Sequence, residues 1–160
     1  MNRGLVLSLI LGFLAFASDR LHKYVQIDLM AWPEGQFTPV VPFLDVGFVF
    51  NRGVSFGLLS SLPFWAVIVV TTAAFVALLV WWVRSDSTLI RVGLAIALGG
   101  ALSNIVDRWL YGAVADFFWL HWGEVSFFVF NLADAAISLG VCLLILDVLG
   151  IGRNRAANAA

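Results

Sequence analysis

The sequence has few of the residues that cover a soluble protein. Charged residues make up 12% of its 160 residues and hydrophobic residues 62%, with a mean hydropathy of +0.99. Soluble domains carry about 25% charged residues, so this chain would expose too much apolar surface to water. One cysteine excludes a disulfide framework, and 4 prolines with 14 unpatterned glycines exclude collagen-like and low-complexity chains. These absences indicate a membrane protein.

Basic clusters and metal-ligand motifs are also absent. A formal net charge of -1 with no basic cluster gives no electrostatic footprint for nucleic acid, so we expect no nucleic-acid partner. His22 and His121 are the only histidines, too few for a histidine-based zinc site. The motifs HExxH and GxSxG and a phosphate-binding Walker loop are missing as well. We therefore expect no metal ion and no organic cofactor.

Long apolar runs dominate the sequence. A helix needs about 20 mostly apolar residues to cross the hydrocarbon core. Four runs meet this length: residues 4–25, 62–83, 88–109 and 131–151. Between them lie a segment with a strand-like pattern, 26–61, and an aromatic segment, 110–130. We therefore expect an all-α polytopic membrane protein, a single membrane-embedded domain over residues 1–160, with four transmembrane helices, a small β-platform and an interfacial aromatic segment on the outer side.

Arginine positions predict the orientation. With four spans, five of the nine basic residues fall on one side: Arg3, Arg84, Arg91, Arg153 and Arg155. The positive-inside rule makes that side cytoplasmic and places both termini there. The alternative is that residues 1–17 are a cleavable secretory signal, which would leave three spans. The distribution of basic residues favours four.

Ionisable residues near the membrane need an explanation, because each costs roughly 2.5–3.5 kcal/mol within a span. Asn104, Asp107 and Arg108 share a helix face at the outer end of the third run. Asn131 and Asp134 begin the fourth. A structural explanation is available for both groups: Asp107 and Arg108 as an ion pair, and Asn131 as a helix cap beside a charge that complements the helix dipole.

Asp116 has a weaker structural explanation, because it lies between Ala115 and Phe117 in an apolar segment. If Asp116 approaches Asp134, the two carboxylates cannot both ionise comfortably and would share a proton, as in an aspartic protease. A small proton-coupled membrane transporter would also use membrane carboxylates, although nearer the bilayer midplane. A non-enzymatic assembly factor packing through the glycine-rich third run is a further alternative. Spacing alone supports a carboxylate-rich outer site.

Three motifs in order resemble those of the lipoprotein signal peptidase family, also called signal peptidase II. The first is FNRGVSFGLL at residues 50–59. The second is GGALSNIVDR at residues 99–108, followed by VADF at 114–117. The third is FNLADAAISLG at residues 130–140. Ser55 and Ser103 depart from the family's usual alanine and glycine.

The resemblance implies a membrane aspartic endopeptidase that cleaves bacterial prolipoproteins before a diacylglyceryl-modified cysteine. It implies catalytic roles for Asp116 and Asp134. The implied supporting residues are Asn51, Gly53, Asn104, Asp107, Arg108, Asn131, Asp19 and Lys23. We expect Asp107 to hold Arg108 in place. The implied partners are prolipoprotein signal peptides bearing diacylglyceryl-cysteine and membrane lipids, and the implied location is the bacterial inner membrane, with the site of a monomer facing outward.

Overall fold

The computed structural model describes residues 3–52 and 63–150 of the chain. Within these residues the elements, in chain order, are α1 Arg3–Tyr24, a π-helical turn Val25–Leu29, β1 Phe37–Val41, β2 Leu44–Asn51, α2 Phe64–Arg84, α3 Thr88–Tyr111, β3 Val114–Trp122, β4 Val125–Phe130 and α4 Leu132–Val148. The prediction of an all-α protein is therefore wrong. The chain combines helices with a sheet.

The described strands form one antiparallel sheet in the order β1-β2-β3-β4. In its register Val49 lies opposite Asp116, and Phe118 lies opposite Phe130. The aromatic segment 110–130, expected at the outer interface, contains the β3–β4 hairpin. Its aromatic and β-branched residues favour strands. The alternation of apolar and polar residues that identifies a half-buried strand in a sequence is weak here, so the strands were not predicted.

The prediction of four transmembrane helices is also wrong. Among the described residues, three helical stretches are long and apolar enough to cross a bilayer: Arg3–Leu29, Phe64–Arg84 and Thr88–Tyr111. The remaining helix, α4, has 17 residues, or about 25 Å at 1.5 Å per residue, against a hydrocarbon core of about 30 Å. The predicted cytoplasmic location of both termini depended on four spans, so it does not follow from three. The apolar helices fit a multi-pass membrane protein.

Helix α3 is the centre of the helical part, because its glycines allow two other helices to approach closely. Gly99 packs against the backbone of Gly12 in α1, and Gly93 packs against that of Gly140 in α4. A Cβ atom added at Gly93 would lie 2.9 Å from the Gly140 carbonyl oxygen. Small residues at such crossings let backbones touch within a membrane. The polar ends of α1, α3 and α4 are thereby brought together.

A left-handed glycine connects this helical end to the sheet. Gly112 caps α3 with φ of 70°, and its N–H donates to the Arg108 carbonyl at 3.1 Å. Glycine adopts this conformation without steric cost, so the helix can end sharply. Strand β3 begins two residues later, and Ala115 and Phe117 are completely buried. The turn therefore places Asp116 close to the end of α3.

Candidate active site

Asn131 connects the two carboxylates singled out in the sequence. It is the N-cap of α4, where its Oδ1 accepts a hydrogen bond from the Asp134 N–H at 2.9 Å. The Asn131 N–H in turn donates to Asp134 Oδ2 at 3.3 Å, completing a capping box. Asn131 Nδ2 donates to Asp116 Oδ1 at 2.7 Å. One buried asparagine therefore holds a carboxylate of the sheet beside a carboxylate of the helix.

Asp116 is almost fully enclosed, with 1% of its surface exposed. Its Oδ2 accepts a hydrogen bond at 3.0 Å from Nδ2 of Asn51, which ends the neighbouring strand β2. Burial, and then the negative charge of Asp134, raises the pKa of Asp116 to about 7, although the hydrogen bonds from Asn51 and Asn131 act in the opposite direction. Asp116 therefore changes its charge near neutral pH.

Asn104 joins this carboxylate pair to the helices. Its Nδ2 donates to Asp134 Oδ1 at 2.8 Å. Its Oδ1 accepts hydrogen bonds from Asn131 Nδ2 at 3.1 Å and from Lys23 Nζ at 3.2 Å. The backbone carbonyl of Asn104 accepts from Arg108 Nη1 at 3.1 Å. The i, i+4 spacing of Asn104 and Arg108 thus appears as a direct contact within one helical turn.

A buried ionic network lies behind the carboxylate pair. Lys23 Nζ is 2.7 Å from Asp19 Oδ2 and 2.6 Å from Asp107 Oδ2. Asp107 Oδ1 accepts from Arg20 Nη1 at 2.7 Å, while its Oδ2 also accepts from the Ala115 N–H at 3.1 Å. Asp107 therefore links α1 and α3 to the residue directly before Asp116. Asp107 thus contacts Lys23, Arg20 and the Ala115 N–H, and the expectation that it also holds Arg108 in place stays a prediction.

Three members of this network were missed in the sequence. Arg20 binds Asp107, the Ser103 hydroxyl donates to Asp19 Oδ2 at 2.6 Å, and the Ala115 N–H reaches Asp107. Arg20 directly follows Asp19 in the sequence. This position could have indicated that Arg20, like Lys23, is a cation of the site. Ser103 was noted as a departure from the family, and the structure gives its hydroxyl a buried partner. A hydrogen bond from a backbone N–H cannot be predicted from residue types, because almost every residue has this group.

The structure brings together nine of the ten predicted site residues, all within its described part. They are Asp116, Asp134, Asn51, Asn104, Asp107, Arg108, Asn131, Asp19 and Lys23. Gly53 lies outside the described residues. Among the described residues, no group of three or more histidine, cysteine, aspartate or glutamate side chains is arranged to hold a metal ion. The site offers paired carboxyl groups surrounded by amide donors, which suits proton transfer to and from a bound water.

Comparison with known proteins identifies the class. A family model described as signal peptidase (SPase) II matches residues 11–150. The lipoprotein signal peptidase of Methylocella silvestris is 42% identical over 147 residues, covering 90% of this chain and 86% of its own. That of Methylorubrum extorquens is 50% identical over 113 residues, covering 69% of this chain and 66% of its own.

Two solved bacterial membrane enzymes share the fold. One has a TM-score of 0.78 and 25% identity, covering 96% of this chain and 93% of that chain. The other has a TM-score of 0.74, also with 25% identity, covering 89% of this chain and 92% of that chain. Together these matches define a membrane peptidase of the aspartic type. The chain belongs to the signal peptidase II family, which confirms the predicted family and favours it over the transporter alternative.

Proposed function

We propose that this chain removes signal peptides from prolipoproteins by hydrolysing the peptide bond before a diacylglyceryl-modified cysteine. Its relatives in Methylocella silvestris and Methylorubrum extorquens are named lipoprotein signal peptidases, and their names supply the substrate class. The contact that carries the catalytic part of the proposal is Asn131 joined to both Asp116 and Asp134. The side-chain amide of Asn131 donates to Asp116 and its backbone N–H donates to Asp134.

The proposed reaction uses Asp116 and Asp134 as a pair that holds one proton. We place that proton on Asp116, because it is enclosed within the sheet and its pKa is about 7. Asp134 lies in the first turn of α4, where the helix dipole favours a carboxylate. Asp134 takes a proton from water as the water oxygen attacks the scissile carbonyl carbon. Asp116 donates a proton to the cysteine nitrogen as the C–N bond breaks.

Amide and guanidinium donors around the pair would orient the substrate. Asn51 and Asn131 already donate to Asp116, and Asn104 donates to Asp134. Arg108 is on the same face of α3 as Asn104 and is buried beside it. We assign these four residues to binding the substrate backbone and stabilising the oxyanion, a role in which fixed donors lower the barrier most. Gly53, nominated with them, lies outside the described residues.

Asp19, Lys23 and Asp107 are assigned a supporting role. Their side chains are fully buried and satisfied by one another, by Ser103, by Arg20 and by backbone N–H groups. Two of those N–H groups belong to Ala115 and Ala133, the residues directly before Asp116 and Asp134. The network therefore fixes the backbone on which both proposed catalytic residues are carried.

We propose that the site faces the outer side of the bacterial inner membrane. Arg84 and Arg91 flank the α2–α3 turn, at the end of α3 opposite the sheet. Arg3 begins α1 at that same end, where Gly4 packs against Thr88. The positive-inside rule makes this end cytoplasmic and the sheet end outer. A signal helix in the bilayer would then present its scissile bond at the depth of Asp116 and Asp134. Membrane lipids surround the enzyme, which we propose to act as a monomer.

A matched pair of substrates tests the proposal. The purified chain in lipid vesicles is given one prolipoprotein with diacylglyceryl-cysteine and the same sequence with an unmodified cysteine. We expect cleavage of the lipidated form, with mass spectrometry showing cysteine as the new N-terminal residue.

Equal cleavage of both forms would contradict the proposed substrate class. Absence of cleavage of either, by protein whose fold is verified by circular dichroism, would contradict the peptidase assignment to these substrates. Proton flux across the vesicle membrane in the absence of substrate would support the transporter alternative.

A further inference from the structure

His22 lies in α1 beside the buried network and contacts the strand that carries Asp116. Its ring meets the ring of Phe117 edge-on, with centroids 4.8 Å apart. The same ring stacks on Phe118, with centroids 5.4 Å apart and planes inclined by 25°. Phe117 and Phe118 directly follow Asp116 in β3. His22 therefore contacts both residues on one side of the proposed catalytic carboxyl group.

Hydrogen bonding by Nδ1 does not explain the position of His22. Its Nδ1 is buried and has no hydrogen-bond partner among the described residues, and neither has Oε1 of Gln26, four residues further along the same face. A buried polar atom without a partner carries a desolvation cost. The ring of His22 offers a favourable contribution through packing and aromatic contact with Phe117 and Phe118.

Strand β3 is fixed on both sides of Asp116. On one side the Ala115 N–H donates to Asp107 Oδ2 at 3.1 Å. On the other side Phe117 is wholly buried in contact with the His22 ring and with the stacked ring of Phe48, whose centroid is 5.4 Å away. Asp116 is thus carried by a short backbone segment with contacts on both sides. The preceding residue, Ala115, is bound to α3, and the following residues contact His22 of α1.

We infer that His22 is a positioning residue, whose ring sets the place of the Asp116 carboxyl group through Phe117 and Phe118. The inference rests on the proposed function, in which Asp116 transfers a proton. Because a displacement of about 1 Å in a catalytic group can cost about 10²-fold in rate, a loosened strand should lower kcat. Substrate binding along α3 and α4 should change little, so KM should stay near its wild-type value.

The experiment compares His22→Ala with His22→Phe in the cleavage assay on the diacylglyceryl prolipoprotein. Ala removes the ring, whereas Phe keeps the ring and replaces the unpartnered Nδ1 by carbon. We expect His22→Ala to lower kcat per folded enzyme about tenfold at unchanged KM. We expect His22→Phe to restore kcat to within about twofold of wild type, because the aromatic contact is retained.

Leu94→Ala is the matched control, since Leu94 is fully buried in α3 but lies in the half of the helix away from the sheet. It should lower thermal stability and leave kcat per folded enzyme unchanged. If His22→Ala behaves as Leu94→Ala does, or if His22→Phe is as slow as His22→Ala, the positioning role is overturned. Failure of the wild-type chain to cleave would instead count against the proposed function.

Discussion

The ammonium nitrogen of Lys23 lies 2.6 Å from Oδ2 of Asp107, and neither side chain reaches the surface. Lys23 is also 2.7 Å from Asp19, so one cation serves two buried carboxylates, with Arg20 as the second cation on Asp107. Charges at a membrane interface are tolerated when they are paired and hydrogen-bonded in this manner. The network ties α1 to α3 directly beneath the proposed active site.

Removing the Lys23 charge should destabilise the protein strongly. Lys23→Met keeps the length and apolar stem of the side chain but leaves Asp19 facing Asp107 without their shared cation. Removal of one partner of a buried pair costs about 3–5 kcal/mol. We expect the free energy of unfolding, measured by denaturant titration in detergent micelles, to fall by about 3 kcal/mol or more.

An exposed ion pair provides the comparison for Lys23. Asp86 is fully exposed and lies 3.9 Å from Arg91. Exposed pairs contribute about 0–1 kcal/mol, so Asp86→Asn should leave the unfolding curve nearly unchanged. A Lys23→Met curve that overlays the Asp86→Asn curve would contradict the structural role given to the network.

Asn131 should contribute to stability and activity at once, whereas Ser87 should contribute to stability alone. Both residues cap a helix: Asn131 accepts from the Asp134 N–H and Ser87 from the Ile90 N–H. Loss of a cap costs about 1 kcal/mol, so Asn131→Ala and Ser87→Ala should both lower the free energy of unfolding. Asn131→Ala also removes the 2.7 Å hydrogen bond to Asp116.

The two cap variants should therefore separate in the cleavage assay. At equal amounts of folded protein, we expect Asn131→Ala to lose about tenfold or more in kcat/KM, as one oriented donor is lost. Ser87→Ala should retain wild-type kcat/KM, since Ser87 is at the other end of α3. Equal activity of the two variants would mean that the Asn131 contact with Asp116 has no catalytic consequence.

The site could be predicted from the sequence further than the fold could. Asn104 and Asp107 stand at a helical spacing that gives them a common face, and Asp134 stands three residues after Asn131 at the start of the next helix. Polar residues in apolar runs are costly, so they can be recognised as candidates for a site. Partners were harder to predict. Lys23 reaches Asp107 across 84 positions of sequence and Arg20 reaches it across 87, and such contacts are set by helix packing, which spacing does not encode.

The sheet was underestimated for a physical reason. Val114 to Phe117 are all buried, so inward and outward positions do not alternate in polarity there. A continuous apolar stretch is compatible with a strand, a helix or a membrane-surface segment. The length of α4 was overestimated for a related reason, because apolar residues after Val148 extended the run in the sequence beyond the end of the helix.

The raised pKa of Asp116 predicts a specific dependence of stability on pH. The pKa is about 7 in the folded protein against an ordinary value of 3.8, so between these values the folded state binds more protons than the unfolded state. The contribution of Asp116 is most favourable at low pH and is lost as pH rises from about 4 to about 7. The slope is at most about 1.4 kcal/mol per pH unit.

The difference between wild type and Asp116→Asn reports the titration of Asp116 together with its coupling to Asp134, because titrating groups distant from this pair contribute equally to both proteins. We expect the wild type to lose stability relative to Asp116→Asn as pH rises from 4 to 7, and the difference to level off above pH 7. Parallel stability curves over that range would show that Asp116 titrates as an ordinary carboxyl group.

The most direct test of the account is the rate of cleavage of a diacylglyceryl prolipoprotein by Asp116→Asn and Asp134→Asn, each normalised to folded protein. Asp45→Asn is the matched control, since Asp45 is a buried carboxylate of the same sheet that pairs with His121. A proton-transferring group contributes about 10²–10⁴-fold, so each of the first two variants should lose at least about 10²-fold in kcat while Asp45→Asn retains wild-type kcat. Near-wild-type cleavage by either Asp116→Asn or Asp134→Asn would contradict the paired-carboxyl mechanism.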